Sequence, residues 1–174
     1  MTGGIVLAAG EGSRFGGPKQ LAQLDGRPLV EHAAAALRAV CDRVVVVLGA
    51  HADEVLAGAR LDDVVVCPDW AAGTFASLRC GLAALGDEPD AVVVALGDQP
   101  SLSRERIDAV LAAGAPIARA TDGGAPSHPV VIRRGARVTP EALRAAAGVE
   151  LGPLADVDTR EQLDALRDPG RRAS

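Results

Sequence analysis

Between Leu7 and Leu21 the chain reads Leu-Ala-Ala-Gly-Glu-Gly-Ser-Arg-Phe-Gly-Gly-Pro-Lys-Gln-Leu, which gathers four glycines and two cations in one short stretch. Gly10, Gly12, Gly16 and Gly17 carry no Cβ and tolerate positive φ, so backbone N–H groups there can turn toward an anion. Arg14 and Lys19 add positive charge to a loop already rich in donors, the equipment a nucleotide polyphosphate requires. A second chemical position is Asp98 in Gly97-Asp98-Gln99-Pro100. A carboxylate at the tip of an apolar run, beside a glycine and before a turn-forming proline, is placed to hold a divalent cation, although it would also serve as an Asx turn or helix cap. Polyanion and hard cation together suit transfer of a phosphorylated group, in which the protein positions reactants and neutralises charge. No Ser-His-Asp or Cys-His arrangement is apparent, so a covalent intermediate is not called for.

These residues need a scaffold that brings them to one edge. Ile5 to Ala9 is a short apolar run that reads as a buried first strand, so the glycines begin where a parallel sheet ends and its ligand crevice opens. Arg43–Leu48, Val64–Cys67 and Ala91–Leu96 read as further strands buried on both faces. Helical periodicity marks Leu29 to Val40, with Pro28 near its first turn; a short helix is expected over 52–57, another after the loop at 69–73, and one over Ser103–Ala113 capped by Ser103. Pro116–Ala120 and His128–Ile132 are the last expected strands. The alternation predicts an α/β fold, three-layered and doubly wound around a mostly parallel sheet, as one domain over residues 1–167 with a tail at 168–174. His32 is expected on a helix face, and His51, though at a strand's carboxyl end, is assigned no role.

Composition narrows the function classes. At 174 residues there is room for one substantial core, and with 2% aromatic residues and no tyrosine it must be filled by Ala, Val and Leu. A net charge of −5 argues against a nucleic-acid surface but not against a mononucleotide, which needs only a local cationic cluster. No apolar run approaches the roughly 20 residues of a membrane span and no leader is evident, which predicts a cytoplasmic protein without membrane contact. Cys41, Cys67 and Cys80, odd in number and widely spaced, are expected to be reduced core thiols. A Walker-type loop is excluded because no Gly-Lys-Ser/Thr occurs at the right spacing. A dinucleotide-dependent oxidoreductase is disfavoured by the Gly10, Gly12, Gly16 spacing and by the two cations, and a non-catalytic nucleotide or cofactor carrier is the remaining rival.

The loop from Leu7 to Leu21 resembles the signature loop of the MobA-like nucleotidyltransferases that include the molybdenum cofactor cytidylyltransferases. That resemblance implies a Rossmann-like nucleotidyltransferase fold and Mg²⁺-dependent transfer of a nucleoside monophosphate to a phosphorylated acceptor, with release of pyrophosphate. The Leu-Ala-Ala-Gly form is more similar to the cytidylyl branch than to the guanylyl branch, implying CTP and, as leading acceptor, molybdopterin; another NTP or a sugar or polyol phosphate is the alternative. It further implies nucleotide contacts from Leu7, Ala8, Ala9, Gly10, Gly12, Ser13, Arg14 and Lys19, and catalytic roles for Arg14, Lys19 and Asp98. Trp70-x-x-Gly73-x-x-x-Ser77-Leu78 resembles the family's stretch beside the nucleotide, implying that Gly73, Ser77 and Leu78 line the base and ribose pocket. Leu-Gly-Asp-Gln-Pro resembles its metal motif. Asp156-Val157-Asp158-Thr159 resembles its closing motif, implying Asp158 as second metal ligand, with Asp156 as the substitute; Asp158 and Thr159 would equally cap the last helix. Ser127-His128-Pro129-Val130 departs from the family's Gly-His-Pro-Val, and is expected near the acceptor. The segment 133–152 is short for the family. Contact with a molybdoenzyme or cofactor chaperone, and a monomer or weak dimer, complete the expectation.

Overall fold

The computed structural model describes residues 1–167, so the expected tail at 168–174 lies outside them. Strand β1 (Thr2–Ala8) runs through the middle of the main sheet and is followed by a small hairpin, β2 (Gln23–Leu24) with β3 (Arg27–Pro28). β4 (Arg43–Leu48) and then β5 (Val64–Val66) lie parallel to β1 on one side, and β6 (Ala91–Leu96) lies parallel to it on the other. Beyond β6 the sheet continues antiparallel through β8 (Ala125–Arg133) and β7 (Ile117–Asp122), and β9 (Ala147–Glu150) closes that edge parallel to β7. The chain therefore reverses its winding between β1 and β6, and a crevice opens outside the carboxyl ends of those two strands.

The period of two in the β-branched runs builds the layers. Val6, Ala8, Val44, Val46, Val93 and Ala95 point to one face, where α1 (Leu29–Arg38), α2 (Ala52–Gly58) and α4 (Arg104–Ala112) contribute Val30, Leu37, Val55, Ile107 and Val110. Ile5, Leu7, Val45, Val47, Val92 and Val94 point to the other, covered by Leu78 and Leu85 of α3 (Thr74–Leu85) and by α5 (Pro140–Arg144). Strands sandwiched this way need no polar face, which is why they read as unbroken apolar runs. Gly81 sets how closely α3 lies on the sheet, since a Cβ there would fall 2.8 Å from Cγ2 of Ile5. A third, small cluster of Phe15, Leu24, Leu29, Val157 and Leu163 ties the glycine-rich loop to the hairpin and to α6 (Arg160–Arg167).

The α/β three-layer fold and mostly parallel sheet are as expected. The short elements differ. Asp25 and Gly26, both at positive φ (52° and 73°), make the tight turn of the β2–β3 hairpin, a signal hidden by strands of only two residues. β9 and α5 lie in a stretch rich in alanine and arginine that carries little periodicity. The reading of three reduced cysteines is corrected at two of them. Cys67, just after β5, is disulfide-bonded to Cys80 on α3, with Cα atoms 5.8 Å apart, and Cys41 alone is free and buried. The sheet brings the two together across the layer boundary, which their sequence spacing did not reveal.

Candidate active site

Steric necessity shapes the loop after β1. Gly12 sits at φ 63°, where an added Cβ would lie 2.5 Å from the carbonyl oxygen of Gly17, so only glycine closes this turn without strain. The Gly12 carbonyl accepts hydrogen bonds from the Phe15 and Gly16 N–H groups at 2.8 and 3.1 Å, and Phe15 anchors the far side of the loop in the small apolar cluster. Gln20, only 3% exposed, donates through Nε2 to the carbonyls of Ala8 (2.8 Å) and Gly10 (2.9 Å), fastening the loop's entry to its exit. Those carbonyls are thereby occupied.

The loop forms one wall of a crevice of about 410 Å³. Its lining includes Leu7 through Ser13 along the loop, Lys19 and Gln20 behind it, and Leu96, Gly97 and Asp98 from the tip of β6. Opposite stand Trp70, Ala71, Gly73, Thr74 and Ser77, at the start of α3. Gly73 offers no side chain to cap that first turn, whose Ala76 N–H bonds back to the Gly73 carbonyl at 3.0 Å, and the helix turns its positive end toward the crevice.

Lys19 lies at the floor, hydrogen-bonded to Oδ2 of Asp98 and, at 2.9 Å, to Oδ1 of Asp158. Arg14 reaches the other oxygen of Asp158 at 3.2 Å, from a largely exposed position. Burial opposes the charge on Lys19, but its hydrogen bonds and Coulomb attraction to Asp98 and Asp158 outweigh that, and its pKa rises above 10.5. The hydrogen bond from Lys19 holds the Asp158 carboxyl below its ordinary 3.8, against a desolvation cost and with help from the Lys19 and Arg14 charges. Asp156 behaves oppositely: burial pushes its carboxyl up, with repulsion from Asp98 and Asp158, against the hydrogen bond it accepts from Gln99 at 2.6 Å.

Oδ1 of Asp98 is buried and has no hydrogen-bond partner. An unpaired carboxylate oxygen out of water costs free energy unless a cation or donor meets it. With Asp158 across the lysine, the residues supply two carboxylates beside the crevice. A hard divalent ion that keeps waters and takes its other ligands from phosphates needs that much from protein. Among the described residues no three His, Cys, Asp or Glu side chains gather as a self-sufficient metal cage.

Residues 4–160 match the family model described as the MobA-like NTP transferase domain. The chain belongs to that family. The nicotine blue oxidoreductase of Paenarthrobacter nicotinovorans is 43% identical over 138 residues, covering 76% of this chain and 67% of that protein. The bifunctional protein GlmU of Kineococcus radiotolerans is 45% identical over 106 residues, which span 57% of this chain but only 22% of that protein. Among solved structures, Rv0371c of Mycobacterium tuberculosis H37Rv aligns with a TM-score of 0.79 at 28% identity, over 96% of this chain and 97% of the other. A complex of Rv0371c with manganese aligns at 0.76 with 26% identity, over 96% of this chain and 98% of the other. The chain thus carries a nucleotidyltransferase-family domain from a group represented with a divalent metal. Among the described residues no helix is long and apolar enough to cross a membrane.

Of the expected site residues, Leu7, Ala8, Ala9, Gly10, Gly12, Ser13, Lys19, Gly73, Ser77 and Asp98 line the crevice. Arg14 and Asp158 stand at its edge, joined to it through the Lys19 cluster. Leu78 is corrected: it turns away into the core between α3 and the sheet and is 4% exposed. Of the two aspartates of the closing segment, Asp156 faces Gln99 while Asp158 faces Lys19. Asp158 and Thr159 retain a structural task besides. Their N–H groups donate to Oε1 of Gln162 at 2.7 and 2.9 Å, and Oγ1 of Thr159 accepts from the Gln162 N–H at 3.2 Å, a reciprocal cap on α6. Ser127 and His128 are drawn toward the closing segment by Arg106, which donates to the His128 carbonyl at 2.9 Å and to Ser127 Oγ at 3.3 Å. Gln20 and Gln99 escaped the sequence reading, although each sits directly beside a residue singled out for its charge.

Proposed function

We propose that the protein is a divalent-metal-dependent nucleotidyltransferase that moves CMP from CTP to a phosphorylated small-molecule acceptor, molybdopterin being the leading candidate, and releases pyrophosphate. The observation that carries this reading is the cluster of Lys19, Asp98 and Asp158 at the mouth of the glycine-rich loop, with one buried Asp98 oxygen left unpaired. In such a transfer an acceptor phosphate oxygen bonds to the α-phosphorus as the bond from that phosphorus to the bridging oxygen breaks. Charge then grows on the departing pyrophosphate. An acceptor phosphate is already ionised near neutral pH, so the step needs no general base, consistent with the residues at hand.

The loop N–H groups and the first turn of α3 would hold the phosphates, while Lys19 would exchange its carboxylate contacts for the charge developing during transfer. Asp98 and Asp158 would hold the ion, Mg²⁺ in the cell, which draws the phosphate oxygens together and offsets their charge. Arg14 would close over the phosphates from the exposed side. CTP is favoured by the Leu7-Ala8-Ala9-Gly10 form of the loop, and a cytoplasmic site of action follows from the substrates.

The oxidoreductase among the relatives favours a second reading, in which the same loop holds the pyrophosphate of a dinucleotide. Hydride transfer would give the Lys19, Asp98 and Asp158 cluster no task, and for that reason it ranks second. One assay separates them. The full chain is incubated with Mg²⁺ or Mn²⁺, molybdopterin or a polyol phosphate, and each of the four NTPs, with pyrophosphate followed by an enzyme-coupled readout; NAD(P)H oxidation is followed in parallel. Metal-dependent pyrophosphate release, lost in Asp98→Asn, is the expected result. NAD(P)H oxidation that is indifferent to Asp98→Asn would sink the transferase reading.

A further inference from the structure

His51 stands between β4 and α2, where its imidazole spans two acceptors. Nδ1 faces Oε1 of Glu54 at 3.0 Å and Nε2 faces the backbone carbonyl of Glu11, within the glycine-rich loop, at 2.9 Å. A neutral imidazole has one N–H and one lone pair, so it can satisfy only one of two acceptors. Both contacts are hydrogen bonds only when the ring is the imidazolium. On losing a proton the ring keeps its remaining hydrogen toward the stronger acceptor, the Glu54 carboxylate, and then presents a lone pair to the Glu11 oxygen. The contact to the loop turns from attraction to repulsion.

We propose that His51 is a proton-dependent latch on the glycine-rich loop, a positioning residue that holds the loop in its ligand-ready shape when protonated and releases it when neutral. Gln20 fixes the loop at Gly10 and Phe15 fixes its far side, which leaves Glu11 as the segment secured from the β4 side. Gly16 and Gly17, where a Cβ would meet nothing within 4 Å, impose little steric preference on the rest of the loop. The charged groups that face the ring are Glu54 from α2 and Glu11 from the loop itself; the other residues around the small cleft there, Ser13, Gly16, Gly17, Ala50 and Trp70, carry no charge. The hydrogen bond that His51 donates to Glu54 raises the pKa of the ring above its usual 6.5, the Glu11 contact adding to it and burial working against. The sign follows: the latch is fully closed below about 6.5 and is lost as pH rises through the elevated value.

The consequence for ligand binding rests on the reading of this loop as a nucleotide phosphate site; the consequence for loop order does not. Two measurements on the full chain therefore keep the failures apart. Amide hydrogen exchange across residues 11–17 is compared at about pH 6 and about pH 9 after correction for intrinsic rates. Mg²⁺-CTP is titrated over the same range with the fluorescence of Trp70, the only tryptophan, which lines the crevice. In the wild type, loop protection and CTP affinity should each fall about tenfold toward high pH, the scale of losing one charge-assisted hydrogen bond. His51→Ala should be unprotected at both values. His51→Gln, whose amide can donate to Glu11 at every pH, should restore protection and flatten the pH dependence, with KM for the nucleotide following these changes and kcat holding steady. Wild-type loop protection in His51→Ala, or an undiminished pH dependence in His51→Gln, would overturn the latch. A loop that responds as described in a protein that never binds CTP would support the latch and remove the nucleotide reading instead.

Discussion

The glycine-rich loop and the closing segment from Gly152 to Asp158 deliver charged groups to the same point, yet they are held by opposite means. The loop is shaped by its own backbone: Gly12 takes a conformation other residues resist, and bonds within the loop and from Gln20 close it. The closing segment has no regular structure and no internal turn to define it. It is held from outside, by Val157 buried in the small apolar cluster, by the Val157 N–H bonded to the Asp98 carbonyl at 3.0 Å, and by Arg106. That guanidinium donates to the Leu151 carbonyl at 3.1 Å and the Gly152 carbonyl at 2.9 Å. A self-shaped loop advertises itself in sequence through the residues its conformation demands. A segment positioned by distant partners does not.

Lys19 is where the two regions meet, and its loss has the largest expected effect. Lys19→Ala should lower single-turnover nucleotidyl transfer at saturating NTP by about 10²- to 10³-fold, about 3 to 4 kcal/mol, the scale for removing one donor aimed at developing charge. An unaltered rate would mean that loop and segment touch without cooperating.

The next test sharpens the contrast within the closing segment itself. Asp158→Asn should reduce metal-dependent turnover by about 10²-fold, while Asp156→Asn, which removes a charge facing Gln99 rather than Lys19, should cost less than about tenfold. Equal losses would erase the distinction drawn from their orientation. Stability supplies a second readout. Because the folded-state pKa of Asp158 lies below 3.8, its contribution is present above that value and fades as pH falls through the folded one. Urea midpoints of the wild type should therefore drop as pH falls below about 3.8, and Asp158→Asn should flatten that drop.

Arg106→Leu probes the external clamp with the smallest effect on chemistry. It strands carbonyls of His128, Leu151 and Gly152, and should lower stability by about 2 kcal/mol, read as a shift in Tm or denaturation midpoint, with loss of protection in residues 151–158 but not in the glycine-rich loop. Loosening of both regions together would show that the loop depends on the clamp as well.

The alternating β-branched runs announced β1, β4 and β6, and with them the crevice edge, because burial on both faces leaves an unbroken apolar signature. The two-residue hairpin, α5 and β9 left no such trace; they are short and are stabilised by what they pack on. Ser77 and Leu78 show the limit within a single helix. Adjacent in sequence, they point about 100° apart around the axis, so one lines the crevice and the other fills the core.

The sequence by itself determined the α/β architecture, the glycine-shaped turn and cations of the loop and the placing of Asp98 at a strand tip, because backbone sterics and local hydrophobic period are written residue by residue. Only the tertiary structure decided which carboxylate meets Lys19, that Cys67 meets Cys80, and that His51 reaches the Glu11 carbonyl. Each of those contacts joins groups from separate elements, and its geometry depends on how the whole sheet packs rather than on any neighbouring residue in the chain.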